Sequence, residues 1–215
     1  LGIDPNDADS DNDGLDDGIE INTYNTDPDN MDTDKDGIND GEEVSSNNGY
    51  VTDPSNNDSD SDGVTDGVEI LTYNSNPLLA DTDGDGVSDN NEINMYQSNP
   101  TKQDTDEDGI NDNIEVVNGY NPVAKDSDGD TLLDNEEDIN LNGITDEGET
   151  SAILADTDND GIDDNVEIDL GTNPLLADTD NDGVSDGDEV SANLDPFVGD
   201  SNDDGVSDLV IFSNI

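Results

Sequence analysis

Asp178-Thr179-Asp180-Asn181-Asp182-Gly183-Val184-Ser185-Asp186-Gly187-Asp188-Glu189 is the stretch whose reading decides the fold. Carboxylates stand at phrase positions 1, 3, 5, 9 and 12, a glycine at position 6 and an aliphatic residue at position 7. The phrase recurs along the chain. Clear copies open at Asp9, Asp32, Asp58, Asp81, Asp104, Asp156 and Asp178. The copy at Asp126 has Thr131 at the glycine position, and the copy at Asp138 has Asn140 and Asn142 at positions 3 and 5. The copy at Asp200 has Asn202 at position 3 and Ile211 in place of the glutamate. Successive starts lie 23, 26, 23, 23, 22, 12, 18, 22 and 22 residues apart, the period of a tandem-repeat architecture.

Without this registry the composition would read as disorder. The 215 residues carry 61 acids against three lysines, no histidine and a formal net charge of −58. Only 27% are hydrophobic, against about 45–50% in an ordinary domain, so no ordinary single core can form. Such a chain stays unfolded unless something outside the polypeptide supplies attraction. Yet 46 of the 61 acids fall on the five phrase positions, and nine of the 13 glutamates on position 12. A merely solvating acidic tract has no such placement. The charge repels nucleic acid and anionic membrane, and no apolar run approaches the ~18 residues of a membrane span. The lack of cysteine removes disulfides, thiolate nucleophiles and zinc–thiolate sites. A secreted chain of this kind needs another staple. Leu1 and the lack of a signal peptide read as a processed chain or a fragment.

Oxygen ligands at alternate positions converge on one ion if the chain turns sharply around it. Calcium takes six to eight such oxygens in flexible geometry, whereas magnesium is smaller and keeps its waters. With no His or Cys, zinc and copper lack their usual ligands. The turn after position 5 calls for positive φ, which glycine adopts freely. Position 7 offers its carbonyl, and the glutamate at position 12 reaches back bidentately. The candidate calcium ligands are therefore Asp9, Asp11, Asp13, Asp17 and Glu20, then Asp32, Asp34, Asp36, Asp40 and Glu43. Asp58, Asp60, Asp62, Asp66 and Glu69 follow, with Asp81, Asp83, Asp85, Asp89 and Glu92 after them. Next come Asp104, Asp106, Asp108, Asp112 and Glu115, and Asp126, Asp128, Asp130, Asp134 and Glu137. The abutting copy offers Asp138, Asn140, Asn142, Asp146 and Glu149. The last three copies offer Asp156, Asp158, Asp160, Asp164 and Glu167, Asp178, Asp180, Asp182, Asp186 and Glu189, and Asp200, Asn202, Asp204 and Asp208. Ten divalent ions would bring −58 to about −38 if each loop takes one, and two per repeat would bring it to about −18.

The phrase overlaps the EF-hand loop but carries its aliphatic residue at position 7 rather than 8, and the spacers are too short for two helices. All eight prolines lie four residues before a loop-opening Asp, each preceded by Asp or Asn. The residue before proline is pushed out of helical geometry. Each repeat is thus expected to hold one short helix, as over 65–72, 88–95 and 163–170, with Thr65 and Ser88 as N-caps. Val68, Ile70 and Leu71 are expected to form a small apolar face against the neighbouring repeat, with Leu78 and Leu79, or Leu175 and Leu176, before the next loop. The Asp or Asn before each proline serves either an Asx-turn or a second ion shared between repeats.

These residues resemble thrombospondin type 3 repeats in their cysteine-free bacterial form. Asp178 to Glu189 shows the phrase, Leu170-Gly-Thr-Asn-Pro-Leu-Leu-Ala177 is similar to the bacterial spacer, and the doubled stretch 126–149 to a variant of such arrays. The resemblance covers about residues 1–208. It implies an extracellular calcium-bound array with little regular secondary structure: tandem loops and short helical turns stacked into an elongated rod, acting as stalk, spacer or adhesive element. Residues 209–215 form an apolar tail.

Thr131 must adopt an unfavourable backbone or let its loop open, the Asn140/Asn142 loop carries less charge, and the last loop lacks its glutamate. No His can activate a serine or threonine, and the composition cannot build the apolar pocket that a carboxylate acid–base pair needs, so no enzyme is expected. Lys35, Lys102 and Lys125 trim repulsion. Asn57-Asp58-Ser59 is a formal glycosylation triplet that overlaps a loop aspartate, and Asp130-Thr131-Leu132 resembles a bacterial O-glycosylation acceptor. The expected partners are calcium ions and either neighbouring domains of a surface protein or further copies of the chain. Leu1 to Pro5 begins late in a repeat and Ile215 ends one, so subunits are expected to stack head to tail through the tail. The competing expectation is a calcium-dependent adhesin or docking module, whose partner site would fall on the irregular segment Val44 to Asn57.

Overall fold

The computed structural model describes residues 7–203 and 205–209. Its two units are Leu1–Thr105 and Asp106–Ile215. The apolar tail, apart from Leu209, and the first six residues lie outside the described residues, and with them the segments on which head-to-tail stacking was expected to rest.

Each loop passes through the left-handed backbone region twice. Position 6 does so as its glycines predict, with φ +99° at Gly14 and +107° at Gly63. Thr131 accepts the same strained region at φ +85°, so its loop keeps its shape. Position 4 does so as well, and here the residue type varies: Asn12, Lys35, Ser61, Glu107 and Leu141 lie at φ +65°, +70°, +66°, +65° and +59°. A left-handed L-residue costs about 1–2 kcal/mol. At Asn12, Lys35 and Ser61 the position 1 carboxylate offsets this by holding both turns. Asp32 accepts the N–H of Lys35 at 2.7 Å and that of Gly37 at 3.2 Å.

A short helix follows each stacked loop. In the first unit these are α1 (Asp17–Ile19), α2 (Asp40–Ser45), α3 (Asp66–Val68) and α4 (Asp89–Asn91). In the second they are α5 (Asp112–Asn118), α6 (Asp134–Glu137), α7 (Asp164–Leu170) and α8 (Asp186–Ala192). Three helices widen into a π turn, at Glu20–Tyr24, Glu69–Tyr73 and Glu92–Tyr96, before a left-handed residue such as Asn25 or Asn74 ends them. Ser88 caps α4 by accepting the Asn91 N–H, whereas Thr65 holds the cap position without a side-chain bond. No strand occurs among the described residues.

The spacers close as Asx-turns. Asp53, Asn76, Asn99 and Asp195 each accept the N–H of the second residue beyond, at 3.1, 3.2, 3.1 and 3.1 Å. A hydroxyl at position 2 ties this turn to the helix start. The Thr33 hydroxyl donates to Asp40 Oδ2 at 2.7 Å and accepts the Asp27 N–H at 2.9 Å, while its own N–H donates to Asp40 Oδ1 at 2.8 Å. Ser59 and Asp66 repeat the pairing, as do Thr82 and Asp89, Thr157 and Asp164, and Thr179 and Asp186.

The interior differs from the expected apolar face. Val68 and Leu71 are 39% and 65% exposed, and Leu78, Leu79, Leu175 and Leu176 are also exposed. What is buried is the aliphatic residue at position 7, as at Leu15, Ile38, Val64 and Ile110, together with the acids of positions 9 and 12. Asp40, Asp66, Glu43 and Glu69 are each 0% exposed. The position 9 aspartates are held there by the N–H and hydroxyl of position 2, as Asp40 is by Thr33 and Asp66 by Ser59, while the helix hydrocarbon stays outside.

Repeats join through position 5. Within the first unit, Asp13, Asp36 and Asp62 each present Oδ2 to the next repeat, to the N–H of Gly41, Gly67 and Asn90 at 3.0, 2.8 and 2.9 Å. Within the second, Asp130 takes the Asn165 N–H at 3.1 Å and Asp160 the Gly187 N–H at 2.8 Å. The contact is close enough to demand glycine in places: a Cβ on Gly67 would stand 2.0 Å from the Asp36 carbonyl oxygen. The bond from Asp130 to Asn165 skips the copy at Asp138, which lies beside the stack.

Candidate metal centres

Two kinds of carboxylate cluster result. The first lies inside each loop, where ligand oxygens of Asp9, Asp11 and Asp13 come within 4.8 Å of one another. The same holds for Asp32, Asp34 and Asp36, for Asp58, Asp60 and Asp62, and for Asp81, Asp83 and Asp85. The second crosses the repeat boundary: Asp36 and Glu43 of one copy meet Asp66 of the next within the same limit. Position 9 thus faces the preceding copy's positions 5 and 12 rather than only its own loop. The sequence names all five carboxylates of a phrase as ligands and leaves one or two ions per repeat open, because a linear motif does not show which copy a side chain leans toward.

Hydrogen bonding separates the carboxylates by role. Position 1 holds the loop backbone, and in stacked copies position 9 is satisfied at both oxygens by a position 2 Ser or Thr, as Asp17 is by Ser10 and Asp40 by Thr33. In the stacked copies positions 3 and 12 are left with bare oxygens in the interior. Oδ2 of Asp11, Asp34, Asp60, Asp128 and Asp158 is buried without a hydrogen-bond partner. So is Oε2 of Glu20, Glu43 and Glu69, whose Oε1 takes a hydroxyl from Thr26, Thr52 or Ser75 at 3.2, 2.9 and 3.3 Å. Glu115 and Glu189 have both oxygens bare. A buried carboxylate oxygen without a partner is strongly unfavourable. Its repetition at two fixed positions, aimed at a cluster of like charges, fits a divalent cation with oxygen ligands.

The electrostatics agree. Burial pushes the Glu43 carboxyl up to about 8, opposed by the Thr52 hydroxyl and reinforced by Asp34, Asp36 and Asp40. Burial lifts Glu69 to about 8, with Asp60, Asp62 and the next repeat's Asp89 adding to it. Burial likewise takes Glu189 to about 8 and Asp34 to about 7, each with neighbouring aspartates reinforcing the rise. In the second unit burial takes Glu115 to about 9, with Asp106 and Asp108 facing it. Asp146 goes the other way, held below its ordinary value by the amides of Asn142 and Asn140.

Two contributors escaped the sequence reading. The position 2 Ser or Thr has a clear signal, since it occurs in nine of ten copies with Ile139 as the exception, but it is no ligand. The Ser or Thr before Asp/Asn-Pro, as at Thr26, Thr52, Ser75 and Ser98, clamps the position 12 glutamate. The Asp or Asn before proline makes an Asx-turn, and in the described cluster Asp36–Glu43–Asp66 the boundary is crossed by positions 5, 12 and 9 instead. In the last copy Asp204 lies outside the described residues.

Carboxylate-lined loops, a short helix after each stacked loop and contacts handed from copy to copy define a tandem acidic-loop repeat protein. The family model described as bacterial TSP3 repeat matches residues 9–30, 32–47, 58–80, 81–103, 104–123, 156–177 and 178–198. The chain belongs to that family. Among solved structures, a stretch covering 21% of this chain is similar to 11% of a chain titled "Biofilm associated protein - B domain", at 38% identity and a TM-score of 0.21. Another covering 21% is similar to 7% of a "Biofilm associated protein - BSP domain" chain, at 46% identity and a TM-score of 0.19. The matched stretches are small parts of those chains. No curated protein matches this chain. No helix among the described residues is long and apolar enough to cross a membrane.

Proposed function

We propose that this chain is an extracellular calcium-binding structural array without enzymatic activity, a rod or stalk whose repeats calcium stiffens. The carrying observation is the row of buried, partnerless carboxylate oxygens at positions 3 and 12. Clusters such as Asp36–Glu43–Asp66 draw ligands from two copies, so an ion there would cross-link neighbours and convert binding energy into stiffness. The position 5 to position 10 contact is heterologous: one copy gives the carboxylate and the next the N–H. Such a contact has no built-in end, which supports head-to-tail association into a surface or secreted filament.

Small-angle scattering with calcium and after calcium removal tests this reading. A narrow rod with calcium and an expanded coil without it are expected. Identical profiles would remove the metal-folding claim. Electron micrographs in calcium that show only short, separate particles would remove the filament part.

One observation favours an adhesin or docking module as a second reading. The irregular segment Val44 to Asn57 contributes to a cavity of about 310 Å³ lined by Thr23, Tyr24, Thr52, Asp53, Pro54 and Ser55, which joins an aromatic ring to hydroxyls and a carboxylate. Replacing 44–57 with a standard spacer should abolish partner capture if this reading holds.

A further inference from the structure

The copy at Asp138 keeps the phrase yet departs from its neighbours at contact after contact. Elsewhere the position 9 N–H closes the loop on the carbonyl before it, as Asp66 does on Asn57 at 3.1 Å and Asp164 on Ala155 at 2.8 Å. Here the Asp146 N–H donates to Glu149 Oε2 at 2.9 Å. Ile139 stands where the other copies carry Ser or Thr, so no hydroxyl reaches Asp146. Its Oδ2 instead accepts the amides of Asn140 and Asn142, each at 2.9 Å. Glu149 Oε1 accepts the Ile139 N–H at 3.1 Å and the Asn140 amide at 3.2 Å. Both oxygens of this position 12 glutamate are therefore satisfied, where both oxygens of Glu115 and Glu189 are bare.

The surroundings differ in the same sense. Ile144 at position 7 is 58% exposed, whereas Ile162 in the following copy is 7% exposed. The stacking bond from Asp130 to Asn165 bypasses the loop. The loop docks sideways through hydrocarbon: Leu141 packs with Ile114 against Ile110, Tyr120 and Ala152, the hydrophobic cluster of the second unit. Gly143 is pressed so closely on α5 that a Cβ would stand 2.7 Å from Ile114 Cγ2.

We propose that Asp138–Glu149 is a cation-free clasp within the calcium array. Its acids are met by its own asparagine amides and backbone N–H groups, and it fastens α5 to the segment after α6 by apolar packing instead of by an ion. This rests on the calcium reading of the stacked loops.

The test is a count of bound calcium by equilibrium dialysis with radiocalcium, on the full chain at saturating free calcium. Glu69→Gln should lower the count by at least one ion. Glu149→Gln should leave it unchanged, and so should Asp146→Asn, which guards against a folding failure in either variant. Asn140→Asp combined with Asn142→Asp, which replaces the amide donors by ligands, should raise the count by one. A loss of one ion in Glu149→Gln or Asp146→Asn, matching that in Glu69→Gln, overturns the clasp. A wild-type chain that binds no calcium overturns the calcium reading itself, a failure distinct from the first.

Discussion

Gly67 illustrates how tightly one residue can be constrained by the next copy. A Cβ there would stand 2.0 Å from the Asp36 carbonyl oxygen and 2.8 Å from its carbon, both backbone atoms. Its N–H also reaches Asp36 Oδ2, so the helix cannot shift without losing the bond between repeats. Gly18 occupies the same phrase position, but nothing lies within 4 Å of a Cβ there. Gly67→Ala should therefore destabilise the calcium-loaded chain by about 1–3 kcal/mol, the range for overpacking a tight contact. Gly18→Ala should be neutral or slightly stabilising, since alanine favours a helix. Chemical unfolding of the two variants in calcium checks this, and equal effects would show that the approach at Gly67 is not limiting.

At the scale of the element, turn, loop and helix are one hydrogen-bonded object with the position 2 hydroxyl at its centre. Thr33 donates its hydroxyl to buried Asp40 and accepts the N–H of Asp27 from the Asx-turn. Thr33→Val keeps the shape and removes both bonds. It leaves one Asp40 oxygen without its donor, for which about 1–3 kcal/mol is expected. Thr33→Ser should restore most of the loss, and unfolding midpoints of the pair in calcium check it. Much of this element was legible in the sequence. Carboxylate spacing, the position 6 glycines and Asp/Asn-Pro turns are local chemistry, and the observed loops and Asx-turns follow them. The left-handed residue at position 4 was not legible. Lys35 and Ser61 give no hint of it, because the constraint comes from the position 1 carboxylate rather than from their own types. The apolar helix face was misread for a related reason: Val68 and Leu71 follow the rule of a hydrocarbon core, and here Asp66 and Glu69 occupy the interior. The side placement of the Asp138 copy had visible signs in the sequence: a start only 12 residues after Asp126, Asn140 and Asn142 at positions 3 and 5, and Ile139 where a hydroxyl belongs.

For the whole molecule, −58 charges make folding a question of what neutralises the buried acids, and protons and calcium are the two candidates. In the metal-free fold Glu43, Glu69 and Glu189 are pushed from an ordinary 4.5 up to about 8, chiefly by burial. A group whose pKa is raised by folding favours the folded state fully below its unfolded value, and that contribution is lost as pH rises through the folded value. The metal-free chain should therefore expand between about pH 4.5 and 8 and compact again on acidification. Calcium reverses the sign, because its ligands must be deprotonated. At a fixed, limiting free calcium, lowering the pH over that window should release ions and loosen the array. Scattering on calcium-depleted protein, paired with bound-calcium measurements on the loaded protein, should show these two opposite trends over one pH window. Compaction and calcium retention that both increase as pH falls would mean that protons and calcium do not compete for the same oxygens. The buried glutamates would then have to be neutralised by something other than the ion.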